Sequence, residues 1–244
     1  MKYLFLFFAL FSTLMAEKVT IGAGAYMQTQ PYKDVDAIIT PSPVIFFDNS
    51  LFYVRWTRAG IYFLGDKQES FAWGFSLTAQ PRINQYEASD SEYLRGMENK
   101  KSSIEAGLAF SASKEKAFIE IMALSDALAR HDTWILKTEI GYEFALSNFT
   151  FYPSFIMTYQ SSAFMDYYYG VKPSEATPFR EEYKADYGMQ YGVQTYIKYP
   201  LTQNLASLVN LKADKLPSEA TNSPIVADDY IFSGLVSLIY TFDY

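Results

Sequence analysis

Side chains along much of the chain alternate between apolar and polar, and residues 230–244 show this most clearly. Every second position there is apolar or glycine, and the series ends in Tyr240, Phe242 and Tyr244. A period of two residues is that of a β-strand with two unlike faces. An apolar face that ends in aromatic residues is typical of a strand that contacts lipid and reaches the membrane interface. The pattern favours a closing strand of a transmembrane barrel, although the edge strand of a soluble sandwich fits it as well.

The same alternation recurs along the chain and predicts about twelve strands. They are expected at residues 19–28, 44–47, 51–64, 71–82, 104–110, 117–126, 134–144, 149–160, 166–171, 187–199, 205–213 and 230–244. The 51–64 segment loses its phase near Gly60, which a bulge or a pair of short strands explains equally. An even number of strands returns both ends of the chain to one side, as bacterial barrels require.

Charged side chains fall on one side of the clear strands. Glu105, Glu120, Glu139 and Lys198 all share the polar parity. An Arg or Lys that faces lipid at mid-bilayer costs about 2 to 4 kcal/mol, so a charge-free apolar parity suits a lipid-facing surface. We therefore predict an all-β fold, a closed antiparallel transmembrane β-barrel of about twelve strands. A soluble β-sandwich remains the alternative, because alternation does not tell which face is wet.

The first residues have the features of a secretory signal peptide. Lys2 precedes an apolar run that is too short for a membrane-spanning helix, and the small Ala16 precedes charged residues. The predicted domains are a cleaved signal peptide at 1–16 and a barrel at 17–244. The chain contains no Cys, which excludes disulfides, zinc-thiolate sites and a lipid-modified N-terminal Cys.

Net charge and candidate chemistry narrow the function further. The formal net charge is −7, which disfavours nucleic-acid binding. His131 is the only His, and we expect it to be a solvated residue in a periplasmic loop rather than part of a catalytic triad. The carboxylates on the polar parity are expected to pair with Arg82, Lys137 and Lys198 instead of acting as acid and base. We predict no enzyme activity, no cofactor and no metal.

Several stretches resemble the MipA/OmpV family of outer-membrane proteins, which is named for an MltA-interacting protein. They include Tyr168, Tyr169, Gly170 and Val171, then Ser223 and Pro224, and Leu94 to Met97. The resemblance extends from about Gly22 to the C-terminus. The family usually ends at the Phe of its last motif, whereas this chain adds Asp243 and Tyr244.

The resemblance implies an exported, non-enzymatic barrel in the bacterial outer membrane. It implies contact with lipid and assembly by the outer-membrane insertion machinery, for which Tyr240, Phe242 and Tyr244 are the expected signal. It also implies a scaffold that binds a lytic transglycosylase and a peptidoglycan synthase. A small-solute channel and a surface adhesin or stress-response barrel are the alternatives.

A charged segment at 86–101 is a candidate for partner binding. If residues 51–64 form one strand, the segment falls on the periplasmic side, where turns are normally short. It is then a periplasmic docking or plugging element; with two strands near Gly60 it lies outside. Its candidate residues are Arg95, Gly96, Met97, Glu98, Lys100 and Lys101.

Overall fold

Alternating side chains set the architecture, because each strand presents one apolar and one polar face. The computed structural model describes residues 18–68, 70–83 and 85–242, so the predicted signal peptide and Tyr244 lie outside the described residues. The described strands are β1 (Val19–Gln28), β2 (Ile38–Asp48), β3 (Phe52–Arg55), β4 (Arg58–Lys67), β5 (Phe71–Arg82), β6 (Ser103–Lys114), β7 (Ala117–Asp126), β8 (Trp134–Tyr142), β9 (Phe144–Leu146), β10 (Phe149–Gln160), β11 (Gly188–Pro200), β12 (Leu205–Lys215) and β13 (Tyr230–Phe242).

The strands form one closed antiparallel sheet. Apart from β8 and β9, which do not pair with each other, consecutive strands pair, and β13 closes the ring on β1 from Val19↔Phe242 to Gln28↔Ser233. β8 and β9 both pair with β10 in a common register, so they form a single wall strand that is interrupted at Glu143. The ring therefore has twelve strands, which confirms the predicted barrel.

Two predicted strands were wrong in detail. The 51–64 segment is not one bulged strand: it forms β3 and β4, which turn at Trp56 and Thr57. The strand predicted at 166–171 is absent: residues 166–169 belong to an α-helix, α1 (Ser162–Tyr169), which Ser161 caps by accepting a hydrogen bond from the Phe164 N–H. A second, one-turn helix, α2, spans Ser218–Thr221, and 3-10 turns occur at Glu92–Leu94 and Pro173–Glu175.

The two ends of the barrel differ in the length of their connections. Val19 and Phe242 lie at one end, which we call the turn end. The short connections at this end are 49–51, 68–70, 115–116, 147–148 and 201–204. The opposite end, the loop end, carries the long connections 29–37, 83–102, 161–187 and 216–229 and the shorter 127–133.

Exposure alternates with the strand period. In β13, Val236 and Leu238 are 64% and 54% exposed, whereas Leu235 and Ser237 are 1% and 4% exposed. The outer surface of the other strands carries a belt of similarly exposed apolar side chains, among them Ile21, Ile39, Leu77, Leu108, Ile140, Phe155, Val193 and Leu211. A soluble sandwich would bury such side chains, so this belt is the lipid-facing surface of a transmembrane barrel. No helix in the described ranges is long and apolar enough to span a bilayer.

Val236→Arg tests the lipid-facing surface. Val236 lies at the middle of β13, so the substitution is expected to lower the free energy of unfolding in lipid vesicles by about 2 to 4 kcal/mol. The measurement is equilibrium denaturation of the refolded barrel. Gln203→Arg, at an exposed position of a turn-end connection, is the matched control and should change the free energy of unfolding by less than about 0.5 kcal/mol. Equal effects of the two substitutions would contradict the assignment.

Candidate functional site

Inward side chains enclose a cavity of about 1470 Å³. At the turn end its lining includes the exposed residues Lys18 and Lys67. Near the loop end it reaches Arg82 and Ile83. The cavity thus extends along the barrel from the turn end to the region below the long connections, and it is the candidate functional site.

One side of the cavity carries a cluster of paired charges. The Arg58 guanidinium donates to both carboxylate oxygens of Glu120, one of them at 2.8 Å. Arg55 donates to Glu120 at 3.0 Å and to Asp48 at 3.1 Å. Because Glu120 is buried, these bonds replace the water that its carboxylate would otherwise bind.

The other charges that face the lumen are paired in the same way. Glu105 accepts hydrogen bonds from Arg82 at 2.6 and 3.0 Å and from Gln80 at 3.0 Å. Further pairs are Lys137–Glu139 at 3.8 Å and Lys212–Asp214 at 2.6 Å. The Arg82–Glu105 and Lys137–Glu139 pairs were expected from the sequence. Glu120 pairs with Arg55 and Arg58 instead, and among the described residues Lys198 has no ion pair, which corrects its expected pairing. No group of three or more His, Asp or Glu side chains in the described ranges is arranged as a metal site.

Long connections form a cap over the loop end. The cap consists of residues 29–37, 85–102, 161–187 and 216–229, which pack on one another and on the strand ends below them. Its buried apolar side chains belong to one cluster, which includes Tyr32, Tyr86, Leu94, Met97, Phe164, Met165, Tyr168, Tyr169, Val171, Ala185, Ala220, Ile225 and Val226. Such burial requires close packing of the four segments, so the cap closes the loop end of the lumen.

Arg180 joins two of the cap segments. Its buried guanidinium donates to the carbonyl oxygens of Glu175, at 2.6 and 3.0 Å, Arg95, at 3.2 Å, and Tyr93. Tyr93 and Arg95 belong to the 85–102 segment, whereas Arg180 and Glu175 belong to 161–187. A buried guanidinium with several carbonyl acceptors fixes the two segments relative to each other.

The family-motif residues all lie in the cap. Tyr168 and Tyr169 are fully buried at the end of α1, and Val171 pairs with Tyr183. Ser223 donates to the Tyr169 carbonyl at 2.6 Å, which joins the two motifs across the cap, and the half-buried Pro224 follows it. A Cβ on Gly170 would lie 2.4 Å from the Asp166 carbonyl oxygen, so only glycine fits there. These positions thus build the cap.

The 86–101 segment is part of the cap as well. Because β3 and β4 are separate strands, the segment lies at the loop end, away from Val19 and Phe242, so the premise for its periplasmic placement was wrong. Of its candidate residues, Met97 and Lys100 are buried, Arg95 and Lys101 are exposed, and Gly96 has φ +85°. Glu98 accepts a 2.6 Å hydrogen bond from Lys172 of the 161–187 segment.

The burial of His131 contradicts the expectation of a solvated loop residue. His131 lies at the loop end, between β7 and β8, and its side chain is only 1% exposed. Its Nδ1 atom is within hydrogen-bond distance of the Thr133 hydroxyl, at 2.5 Å. The ring packs against Phe164, Tyr167 and Tyr168 of α1. Burial lowers the pKa of His131, so the neutral form is favoured beneath the cap.

Two of the three expected insertion residues, Tyr240 and Phe242, lie on β13, whereas Tyr244 lies outside the described residues. The side chains of Tyr240 and Phe242 are 43% and 40% exposed on the outer surface, and their ring centroids are 4.8 Å apart. Their position at the turn end suits an interfacial aromatic belt. Their role as an insertion signal stays a prediction.

Sequence reasoning missed Arg180 and Trp56. Arg180 occurs in a polar loop with no periodicity, and only the tertiary structure reveals that it is buried. Trp56 lies in the 51–64 segment, where the alternation of apolar and polar residues loses its phase. That loss of phase was a signal from which a turn could have been predicted. Trp56 has a positive φ of 58°, unusual for a bulky residue, and its side chain contacts Tyr26 and Tyr196 in the lumen.

The chain is similar in sequence to one protein family and to named members of it. Residues 21–242 match the family model for MltA-interacting protein MipA. The chain is 25% identical over 231 residues to the MltA-interacting protein of Escherichia coli K12, covering 93% of this chain and 90% of the relative. It is 27% identical over 153 residues to outer membrane protein OmpV of Vibrio cholerae, covering 58% and 55%. A FadL homologue of Pseudomonas aeruginosa has a TM-score of 0.43 at 9% identity, covering 93% and 90%.

Arg180→Ala is expected to loosen the cap without unfolding the barrel. The substitution removes the donors to the Tyr93, Arg95 and Glu175 carbonyls, and buried acceptors without a partner cost about 1 to 3 kcal/mol each. Limited proteolysis of the refolded protein should then show at least several-fold faster cleavage within 85–102 and 172–187. Arg95→Ala, whose side chain is 78% exposed, is the control and should leave the rate unchanged. Equal rates for both variants would refute the role of Arg180.

Acidification should weaken the cap through His131. Because the pKa of His131 lies below the ordinary value near 6.5, the unfolded loop binds the proton more tightly than the folded loop does. The stability that neutral His131 gives the folded loop is therefore complete above about pH 6.5 and decreases as the pH falls below it. Four nearby charges also act on the pKa of His131. The carboxylates of Asp126, Glu105 and Asp132 favour the protonated ring, and the Arg82 guanidinium disfavours it. Cap proteolysis should accelerate between about pH 7.5 and about pH 5, within the range where His titrates. His131→Asn should abolish this acceleration; if it persists unchanged, another group is responsible.

Proposed function

Because the chain belongs to the MltA-interacting protein MipA family, we propose that this outer-membrane β-barrel is a non-enzymatic scaffold that tethers peptidoglycan-remodelling enzymes. In this proposal the turn end faces the periplasm, because barrels of this kind have short periplasmic turns and longer external loops. The cap then lies outside, and the charged cavity opens towards the cell wall.

The closed cap is the observation that carries the proposal. A small-solute channel needs a continuous aqueous path, whereas the loop end is closed by a buried apolar cluster and by the bonds of Arg180. This arrangement favours an anchor over a channel. The lumen carboxylates are held in ion pairs and His131 is buried under α1, which supports a role without catalysis.

The proposed partners follow from family membership. A lytic transglycosylase and a peptidoglycan synthase are proposed, since one relative is named MltA-interacting protein. Removal of residues 1–16 during export and recognition of the terminal aromatic residues by the insertion machinery belong to the same proposal. Partner binding is assigned to the turn-end rim. The 86–101 segment belongs to the cap and, in this orientation, faces the exterior.

Charge at the turn-end rim gives the proposal a test. Lys114 and Lys116 are exposed beside the β6–β7 turn, so replacing both by Glu reverses the charge of this part of the rim. Co-purification of the tagged protein with periplasmic murein enzymes should fall several-fold. Lys101→Glu, exposed at the loop end, is the matched control and should have no effect. Loss of co-purification with Lys101→Glu alone would move the partner site to the cap.

Measurement of ionic conductance distinguishes a scaffold from a small-solute channel. The wild-type protein should be silent in planar lipid bilayers because the cap closes the lumen. Steady ohmic steps from the intact protein would contradict the scaffold and favour a small-solute channel.

A further inference from the structure

Between β2 and β5 the barrel wall is incomplete towards the loop end. β3 has only four residues, and the β3–β4 hairpin turns at Trp56 and Thr57. β2 pairs with β3 only at Phe46–Asp48, so its remaining residues towards Ile38 have no strand on that side. On the other flank, β5 continues to Arg82 beyond the last pair with β4, Ala59↔Ala79. The two strands frame a lateral window above the hairpin.

Proline residues occupy the open edge of β2. The Ile45 carbonyl accepts a hydrogen bond from the Trp56 N–H, so the backbone groups of Ile45 point towards the window side. Strand alternation gives Pro43 and Pro41 the same direction, and neither has an N–H that would need a partner. The hydroxyls of Thr40 and Ser42 lie 3.3 and 3.4 Å from the Pro41 and Pro43 carbonyl oxygens. This edge can therefore remain unpaired within a bilayer.

The opposite edge of the window has the same property. The Tyr62 N–H of β4 donates to the Leu51 carbonyl on the β3 side, so the backbone groups of the preceding residue, Ile61, point the other way, towards β5. Those of its partner Leu77 on β5 therefore point towards β4. Pro81 follows Leu77 in the same alternation and points into the window. Both flanks thus carry a residue without an N–H at the open edge.

The lumen cavity extends into this window. Its lining includes Pro41 and Pro81, which are exposed on the outward parity of their strands, and the exposed Thr57 at the hairpin turn. Ile39 and Ile104, exposed beside these prolines by 71% and 43%, belong to the lipid-facing belt. The window therefore connects the lumen with the hydrocarbon region.

The cavity lining inside the window has one aromatic and one polar surface. Tyr26, Trp56 and Tyr196 form an aromatic surface, with Trp56 held to β2 by a 2.9 Å hydrogen bond to Ser42. Towards β5 the lining is polar, but its cations are neutralised in the Arg58–Glu120 and Arg82–Glu105 pairs. An apolar chain suits the first surface. A head with hydrogen-bonding groups and no net charge suits the second.

We propose that the window is a binding site for a single-chain amphiphile of the membrane. Its uncharged, hydroxyl-rich head would contact the paired charges in the lumen, and its acyl chain would lie against Tyr26, Trp56 and Tyr196 and extend between β2 and β5 into the bilayer. The site requires neither a partner protein nor the scaffold role.

Photo-crosslinking tests the site in the full chain. The protein is reconstituted in phosphatidylcholine vesicles that contain a small fraction of an alkyl glucoside with a diazirine on its chain, and adducts are mapped by mass spectrometry. Adducts on Trp56 and Tyr196, which face the lumen, are expected. Adducts confined to outward side chains such as Ile39 and Ile104 would overturn the proposal, since any lipid would give them.

Two variants identify the route. Thr57→Trp narrows the window and should reduce lumen adducts at least several-fold. Ser113→Trp, on the cavity lining at the turn end of β6 and beside Ala72 and Phe118, is the matched control and should retain them. Equal labelling of both variants would mean access through the turn end and would overturn the window. Far-UV circular dichroism checks that both variants are folded.

A charged probe tests the head. The same chain with a sulfate head should label the lumen several-fold less than the glucoside. Equal or stronger labelling by the sulfate would overturn the assignment of an uncharged head.

Discussion

Backbone hydrogen bonding in hydrocarbon is the constraint on which the rest of the structure depends. A strand that crosses a bilayer has no water to satisfy its N–H and C=O groups, so each strand needs neighbours on both sides. Closure of β13 on β1 provides this for the two ends of the sheet. Once the ring is closed, the strand period leaves one face of each strand in lipid and directs the other into the lumen.

The enclosed lumen explains the internal chemistry. The charged side chains on the inward face lie close together in the lumen, where Glu120 forms an ion pair with Arg58 and Glu105 forms one with Arg82. The barrel would still be open at both ends, so closure of one end depends on the cap. The cap is built as a small apolar core of its own, with Arg180 joining carbonyl groups that no strand ladder reaches. At the window the described wall departs from full pairing, and prolines limit the cost of that departure.

The strands could be predicted from the sequence where alternation persists over many residues. Val19–Gln28, Phe71–Arg82 and Ala117–Asp126 have the expected bounds. β3 is too short to show a period, so the stretch around Gly60 allowed two interpretations, and the side assigned to the 86–101 segment depended on that choice. The additional strand moves the later connections to the other end of the barrel as far as α1, where the absence of the strand predicted at 166–171 restores the count.

The candidate site was less predictable than the wall. Pairing of the lumen carboxylates followed from strand parity alone, because parity decides which side chains share the interior. The cap could not be predicted from strand parity, because its segments have no periodic pattern and their burial depends on contacts between residues far apart in the chain. The aromatic residues at 167–169 resemble a strand locally but form a helix, because α1 buries Tyr168 and Tyr169 over the mouth of the barrel.

Site-directed spin labelling along β13 can show directly which face of the strand lies in lipid, because the chain has no Cys and single cysteines can be introduced one at a time. If the apolar face of β13 lies in the membrane, labels at 234, 236, 238 and 240 in lipid vesicles are relaxed by dissolved oxygen. Labels at 233, 235, 237 and 239 should be shielded from oxygen, with a strict period of two. Accessibility without this period, or with the opposite phase, would contradict a barrel with its apolar face in the membrane.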